Sequence, residues 1–420
     1  MTSTAETMPP PTATATDRRS LETKLRAADR RRKLRAFLLV APLLAFILVI
    51  FVGPILSLLY FSIDDPKLPR TLPLTAAAVA VWDGAELPDE SVYAALVADL
   101  KVAYEAKTAA AIAMRLNYEI SGFRSMVMRT GRKISRIEGP SYKAALIGFD
   151  KRWGDITYWR AIKAAGGPFT TRYLLAAVDL KRHWDGSVGL APEDRTIYID
   201  YLKRTLWISF WVLFYCVVIG YPMAYLIATV GKRLSRIMLI LVLLPFWTSL
   251  LVRTAAWVVL LQNQGVVNDI LLFTGLVSEP LTLIFNRLGV YIAMVHILLP
   301  FLILPLYAVM KNIPESHMRA ASSLGARPLA AFLSVYLPQT LPGLGAGCLL
   351  VFILALGFYI TPALIGGGSD QMLSYLIAQF ALQTGNWGMA SAIGILLLLS
   401  VGALYPVYRG LVGRDGIRFS

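Results

Sequence analysis

Arg253 and His296 are ionisable residues set inside long apolar stretches. A charge or imidazole in such a place is costly, which makes each a functional candidate by default. Arg253 lies between Trp247 and Trp257. It reads equally as a group lining a solute path and as a cation snorkelling to the outer headgroups, with the tryptophans as interface anchors. His296 can line the same path or hydrogen-bond between helices. Tyr359 and Thr361, just ahead of Pro362, offer hydroxyls to a solute or to a neighbouring helix. All of these are binding groups, and the arrangements that carry covalent chemistry are missing. The sequence holds no G-x-x-x-x-G-K-[ST] phosphate loop, no H-E-x-x-H and no G-x-S-x-G. His183, His296 and His317 are far apart, and Cys216 and Cys348 sit in apolar runs as small buried hydrophobes. No cofactor or metal is expected on this chain. An embedded enzyme is disfavoured, so any work done draws on a partner or an ion gradient.

Candidates of this kind must be held by spanning elements. Of 420 residues, 56% are hydrophobic and only 16% charged, against about a quarter charged in soluble domains. A span needs about 20 mainly apolar residues. Six stretches qualify: Ala36–Phe61, Leu206–Val230, Ile237–Leu261, Leu288–Met310, Leu341–Leu364 and Met389–Tyr408. The short link between the second and third predicts a helical hairpin. The net charge of +15 is read as cytoplasmic bias at span ends rather than as a nucleic-acid footprint. Arg30–Arg35, Gly231–Arg236, the group Lys311, Arg319 and Arg327, and the group Arg409, Arg414 and Arg418 all fall inside if both termini are cytoplasmic.

The expected class is therefore an all-α polytopic membrane protein with six transmembrane helices. Residues 1–35 are expected to be a disordered basic cytoplasmic tail and 36–62 the first span. Residues 63–201 form an extracytoplasmic insertion, mostly helical because Val92, Leu96, Leu100 and Tyr104 recur near helical spacing. A five-span core occupies 202–412, then a cytoplasmic tail 413–420. The first span is read as an uncleaved anchor, since no small-x-small site comes after it.

Between the fourth and fifth spans runs "RAASSLGARPLAAFLSVYLPQTLPG", Arg319 to Gly343. Pro314 and Glu315 suit a helix start. Met318, Ala321, Ser322 and Gly325 come at i, i+3, i+4 and i+7, predicting one smooth face that another surface can approach. Pro328 starts a second helical piece, with Pro338 and Pro342-Gly343 expected to interrupt it. The alternative is a turn that merely connects two spans.

This stretch resembles the EAA motif of bacterial ABC-importer permeases, roughly E-A-A-x-x-L-G-A, then an aromatic, then L-P and P-G. Ala320, Ala321, Leu324, Gly325, Ala326, Phe332, Leu337, Pro338, Pro342 and Gly343 match, while Arg319 stands at the glutamate position. "GYPMAYLIA" (Gly220–Ala228), "LPFWTSLLVRTAAWVVLLQNQGVVN" (Leu244–Asn268) and "LGFYITPALIGGG" (Leu356–Gly368) are similar to permeases of the spermidine/putrescine type. The match runs from about Leu202 to the C-terminus. The resemblance implies a coupling helix at about 314–327, in which Glu315, Met318, Arg319, Ala320, Ala321, Ser322, Leu324, Gly325 and Ala326 seat in a cytoplasmic ABC ATPase. It further implies an ATPase dimer that holds ATP and Mg, a second permease subunit in a heterodimer, an extracytoplasmic solute-binding protein and a bacterial inner-membrane location among lipids, with no nucleic acid. The fifth-span motif of many members carries an acidic residue where Phe358 stands here. No Asp or Glu lies inside the six stretches. A polycation would want carboxylates or aromatic faces, so a neutral or anionic solute stands beside a polyamine. A secondary transporter and a membrane sensor are the remaining readings.

Overall fold

The computed structural model describes residues 15–137, 141–183, 186–192 and 196–412. Residues 1–14 and 413–420, with Arg414 and Arg418, lie outside that set. Residues up to Leu58 form one compact unit. In it, α1 (Ala15–Ile47) leads through a five-residue wide turn, Leu48–Val52, into α2 (Gly53–Phe61). The tail expected to be disordered is thus helical from Ala15. Ala, Leu, Lys, Arg and Glu dominate it, and neither Gly nor Pro occurs in this helix before Pro42. From Asp29 to Phe61 no side chain is buried, and a helix apolar on every side suits lipid.

The second unit begins at Leu59. Its first part is the insertion. Helices α3 (Lys67–Thr71), α4 (Pro73–Val81), α5 (Glu90–Glu105), α6 (Ala109–Asn117), α7 (Phe123–Lys133), α8 (Tyr142–Phe149), α9 (Ile156–Ala164) and α10 (Arg172–Ala177) precede a two-stranded hairpin, β1 (Leu180–Arg182) and β2 (Val188–Leu190). Val92, Leu96 and Leu100 of α5 enter one core with Tyr93, Phe123, Trp153 and Trp159. Its polar atoms are paired: Trp153 O accepts from Tyr93 Oη at 2.7 Å and from Trp159 Nε1 at 3.0 Å, and Asp99 accepts from the Thr75 amide and hydroxyl at 2.7 Å each. The chain enters and leaves this core side by side, since Asp65 N donates to Pro168 O and Thr170 N to Ile63 O.

The insertion is fastened to the downstream helices at two places. Asp179 Oδ1 and Oδ2 accept from the Tyr198 and Ile199 amides at 3.0 and 2.9 Å, capping the start of α11 (Tyr198–Thr229) with a charge its dipole favours. Tyr173 and Ala177 of α10 pack with Met389, Ala392 and Ile393 of α21 (Trp387–Val412). A Cβ on Gly388 would lie 2.4 Å from the Tyr173 ring, so only glycine permits this approach.

The membrane core centres on α11, α15 (Arg287–Met310) and α18 (Leu337–Gly357). Ile208, Val212, Cys216, Met294, Leu298, Leu302, Val351 and Ala355 fill their interface. Small residues set its closeness. Leu302 is pressed between Gly220 and Gly347, where added Cβ atoms would stand 2.8 and 3.0 Å from it. Among the described residues four helices are long and apolar enough to span, or five if a bent pair counts as one. The expected sixth stretch is α21, a 26-residue helix whose part up to Ala403 is apolar. The expected third span is the bent pair: α12 (Lys232–Leu243) and the short turn Leu244–Trp247 meet α13 (Leu250–Leu260) at 99°. Helix α14 (Val266–Phe273) comes next, and Asn268 ties its loop by donating to Gln262 O and Leu281 O.

The expected fifth span is also redrawn. Helix runs unbroken from Pro328 to Gly357 through α17 (Pro328–Ala331) and a wide turn Phe332–Tyr336. Pro338 does not interrupt it, because Leu337 N–H bonds to the carbonyl five residues back, Phe332. That widened turn makes room for a ring that would otherwise meet the Ser334 carbonyl. Pro54 comes after the Leu48–Val52 turn in the same way. The true break is at Phe358-Tyr359, after which come α19 (Ile360–Ile365) and α20 (Leu373–Ala378).

Candidate functional site

Two groups of sequence candidates fall at different ends of this frame. The first forms around α13. Ser249 starts the helix, its hydroxyl accepting from Val252 N at 3.2 Å, which satisfies one of the orphan donors of a helix that begins within a span. Thr254 then faces α19, where its hydroxyl lies 3.0 Å from that of Thr361, both buried. The two broken helices are therefore neighbours at their first turns. One turn on, Trp257 Nε1 donates to His296 Nδ1 of α15 at 3.1 Å, with the rings edge to face at 5.3 Å. That bond leaves the His296 proton on Nε2 and the ring neutral. Arg253 stands a turn before Trp257 on the same helix. Its Nε and Nη1 are shielded and have no hydrogen-bond partner among the described residues. Irregular backbone at membrane depth is tolerated only when buried in protein or lining a cavity, and here two breaks meet beside an unpaired guanidinium.

Arg253, Trp257, His296 and Thr361 are thus brought together, with Thr254 as a member that sequence reasoning missed. The N-cap pattern at Ser249 was the available signal. Trp247 and Tyr359 are not part of the group. Trp247 is 77% exposed on the turn before the bend, and Tyr359 caps α19 and is 38% exposed.

The second group is α16 (Glu315–Ser323). Pro314 precedes it, and Arg319 pairs with Glu315 at 3.3 Å across one turn, both well exposed. Its end is a Schellman motif. Gly325 has φ +86°, its N–H bonds Ser322 O at 3.0 Å, and Ala326 N–H bonds Ala321 O at 3.1 Å. The expected smooth face divides in two. Met318 and Ala321 turn inward, Met318 packing with Tyr336, Leu306 and Met310. Ala320, Ser322, Ser323 and Gly325 stay outside with Glu315 and Arg319, and Leu324 projects from the tip at 89% exposure. Helical spacing put Ala321 and Gly325 on one side, but the left-handed turn at Gly325 takes it and Leu324 off that side.

A sequence model described as "Binding-protein-dependent transport system inner membrane component" matches residues 217–414. The spermidine/putrescine transport system permease protein PotB of Escherichia coli K12 is 32% identical over 212 residues, covering 50% of this chain and 77% of that protein. The chain belongs to this inner-membrane transport family. It is an ABC-importer permease, a multi-pass transporter component rather than an enzyme, and it resembles the polyamine type. Both groups above lie in the part of this permease that the family covers, whereas the insertion lies outside it. A putative 2-aminoethylphosphonate transport system permease protein, PhnU of Salmonella choleraesuis, is 26% identical over 56% of this chain and 84% of its own length. A crystal structure of a bacterial alginate ABC transporter with an alginate-bound periplasmic protein aligns at TM-score 0.42 and 20% identity, over 52% of this chain and 79% of the other.

Proposed function

We propose that this permease is one of two membrane subunits of an ATP-driven importer. It moves a small organic solute, of the polyamine type or related, that an extracytoplasmic binding protein delivers. The observation that carries this reading is α16: a short capped helix between two spanning helices, with an apolar tip left exposed by the described residues. Such a tip needs a partner surface, and a cytoplasmic ATPase that closes on ATP and Mg would take it. Because Met318 packs on the cluster of Leu306, Met310 and Tyr336 and α16 lies against the Phe332–Tyr336 turn, movement of the ATPase would pass to the spans. The bent α12–α13 pair and the α18–α19 break are the elements that would take the two arrangements alternating access requires. In this reading both termini and α16 are cytoplasmic, the insertion is extracytoplasmic, and the second subunit is a different permease.

A second reading of the solute has its own support. None of α13, α15, α18, α19 and α21 carries Asp or Glu, and the Arg253 guanidinium keeps unpaired donors. These suit a neutral or anionic solute, and a relative named for an aminophosphonate points the same way. The test is a mild-detergent pull-down from native membranes with the copurifying chains identified. A nucleotide-binding subunit is expected. Repeated recovery of intact protein without one, even after crosslinking at residues beside Arg319, overturns the importer reading for a sensor or secondary transporter. The copurified or neighbouring binding protein, screened against polyamines, amino acids and organic anions, separates the two solutes.

A further inference from the structure

The insertion contains a cavity of about 520 Å³ between α9, the Phe169–Thr171 loop and the start of the β hairpin. Among the described residues its lining is mostly basic: Arg160, Lys163, Arg172, Lys181 and Arg182 face it with His183, against two carboxylates, Asp83 and Glu119. Neither acid neutralises the hairpin side. Asp83 accepts from the Ala85 amide of its own loop at 2.9 Å. Glu119 is held by Arg115 and Arg172, each at 2.9 Å. The far-wall cations are positioned by backbone carbonyls: Arg160 Nε donates to Gly84 O at 2.9 Å, and Lys163 Nζ bonds Trp82 O while lying over the Trp82 ring. A carbonyl fixes the Lys163 cation without cancelling its charge. The side chains of Lys181, Arg182 and His183 have no hydrogen-bond or ion-pair partner among the described residues, and Phe169, 62% exposed, supplies an apolar wall.

We propose that this cavity is a binding site for a small organic polyanion, one carrying two or more carboxylate or phosphate groups on a short carbon skeleton. The volume falls in the usual range for small-molecule sites. Cations of one sign around a low-dielectric concavity focus their field and concentrate such anions. The guanidinium fork at Arg182 matches carboxylate and phosphate geometry. The site uses none of the residues around α13 and stands whichever solute the permease carries.

The test uses the full chain in phosphatidylcholine nanodiscs, with citrate and inorganic phosphate as probes, read by titration calorimetry and hydrogen exchange. Citrate is expected to bind saturably and more tightly than phosphate, and to protect peptides covering residues 168–190. Lys181→Ala/Arg182→Ala should weaken citrate roughly tenfold or more, while Lys181→Arg/Arg182→Lys keeps binding within a few-fold. The paired charge-conserving variant guards against a loss that reflects only misfolding. Protection of the same peptides by phosphatidylglycerol discs without citrate assigns the anion to a lipid headgroup and overturns the small-polyanion reading, and its absence there upholds it. Absence of protection under every condition, or citrate binding equal in the alanine variant, overturns it.

Discussion

Leu324→Ala separates an interface role for α16 from a purely structural one. The side chain is 89% exposed, so truncating it should leave the stability of the chain itself nearly unchanged. If the tip is buried in the ATPase, it contributes there as a buried leucine, about 1.5–3 kcal/mol. Alanine retains part of that area, which leaves a loss of about 1–2 kcal/mol, or roughly five- to thirtyfold in affinity. Ala321→Leu is the matched contrast. Ala321 is buried, so a larger side chain strains the packing of α16 on the bundle by about 1–3 kcal/mol and lowers thermal stability. The assay pairs a thermal melt of each purified variant in nanodiscs with titration of the ATPase subunit by biolayer interferometry. The reasoning fails if Leu324→Ala binds the ATPase within twofold of the unmodified chain. It fails equally if that variant melts as early as Ala321→Leu.

Gly388→Ala should loosen the insertion from α21 by about 1–3 kcal/mol, because its Cβ would stand 2.4 Å from the Tyr173 ring. Faster protease cutting within 63–201 reports it, and adding Tyr173→Ala should slow the cutting again. A double-mutant cycle of Trp257→Phe and His296→Ala should return a coupling of about 0.6 kcal/mol, the average for hydrogen bonds in membranes; zero coupling would deny the 3.1 Å bond. Hydrogen bonds from the Arg152 side chain hold the nearly buried Asp150 below the ordinary carboxylate range. A lowered folded-state pKa gives stability that is present above about pH 4 and is lost as pH falls toward the folded value. Exchange protection of residues 142–154 should therefore fall on acidification below about pH 4, and Asp150→Asn should flatten that fall.

Much of the helical frame is legible because burial leaves a period. Val92, Leu96 and Leu100 are buried as their spacing implies, while Tyr104 at the end of α5 is 38% exposed. The span breaks are less visible, since apolar composition continues across them. Yet Pro245, which opens the turn before the bend, and the Ser249 cap both carry a local signal. Pro338 misleads in the opposite direction, since a proline inside an apolar run reads as a stop. A wide turn can absorb a proline ring, and its only sequence correlate is the proline itself. The division of α16 cannot be read locally at all. Small residues occur on both its sides, and Tyr336, Leu306 and Met310 decide which side is covered. Likewise, Arg253, Trp257 and His296 each stand out singly in the sequence, but their meeting depends on how α13 folds back, which no pattern within α13 states.

The two fastenings of the insertion limit how the bundle can change shape. Asp179 grips the first turn of α11, and Tyr173 is wedged on Gly388 in the first turn of α21. A body with its own aromatic core therefore acts as a strut between the two helix starts and keeps their spacing constant. Rearrangement at that end then falls to elements the strut does not hold, above all α13 and α19, which meet through one threonine–threonine bond and the apolar contact of Trp257, Val258 and Leu261 with the cluster of Ile365. In the proposed transport cycle the helix starts would serve as a fixed pivot, and the broken helices as the door.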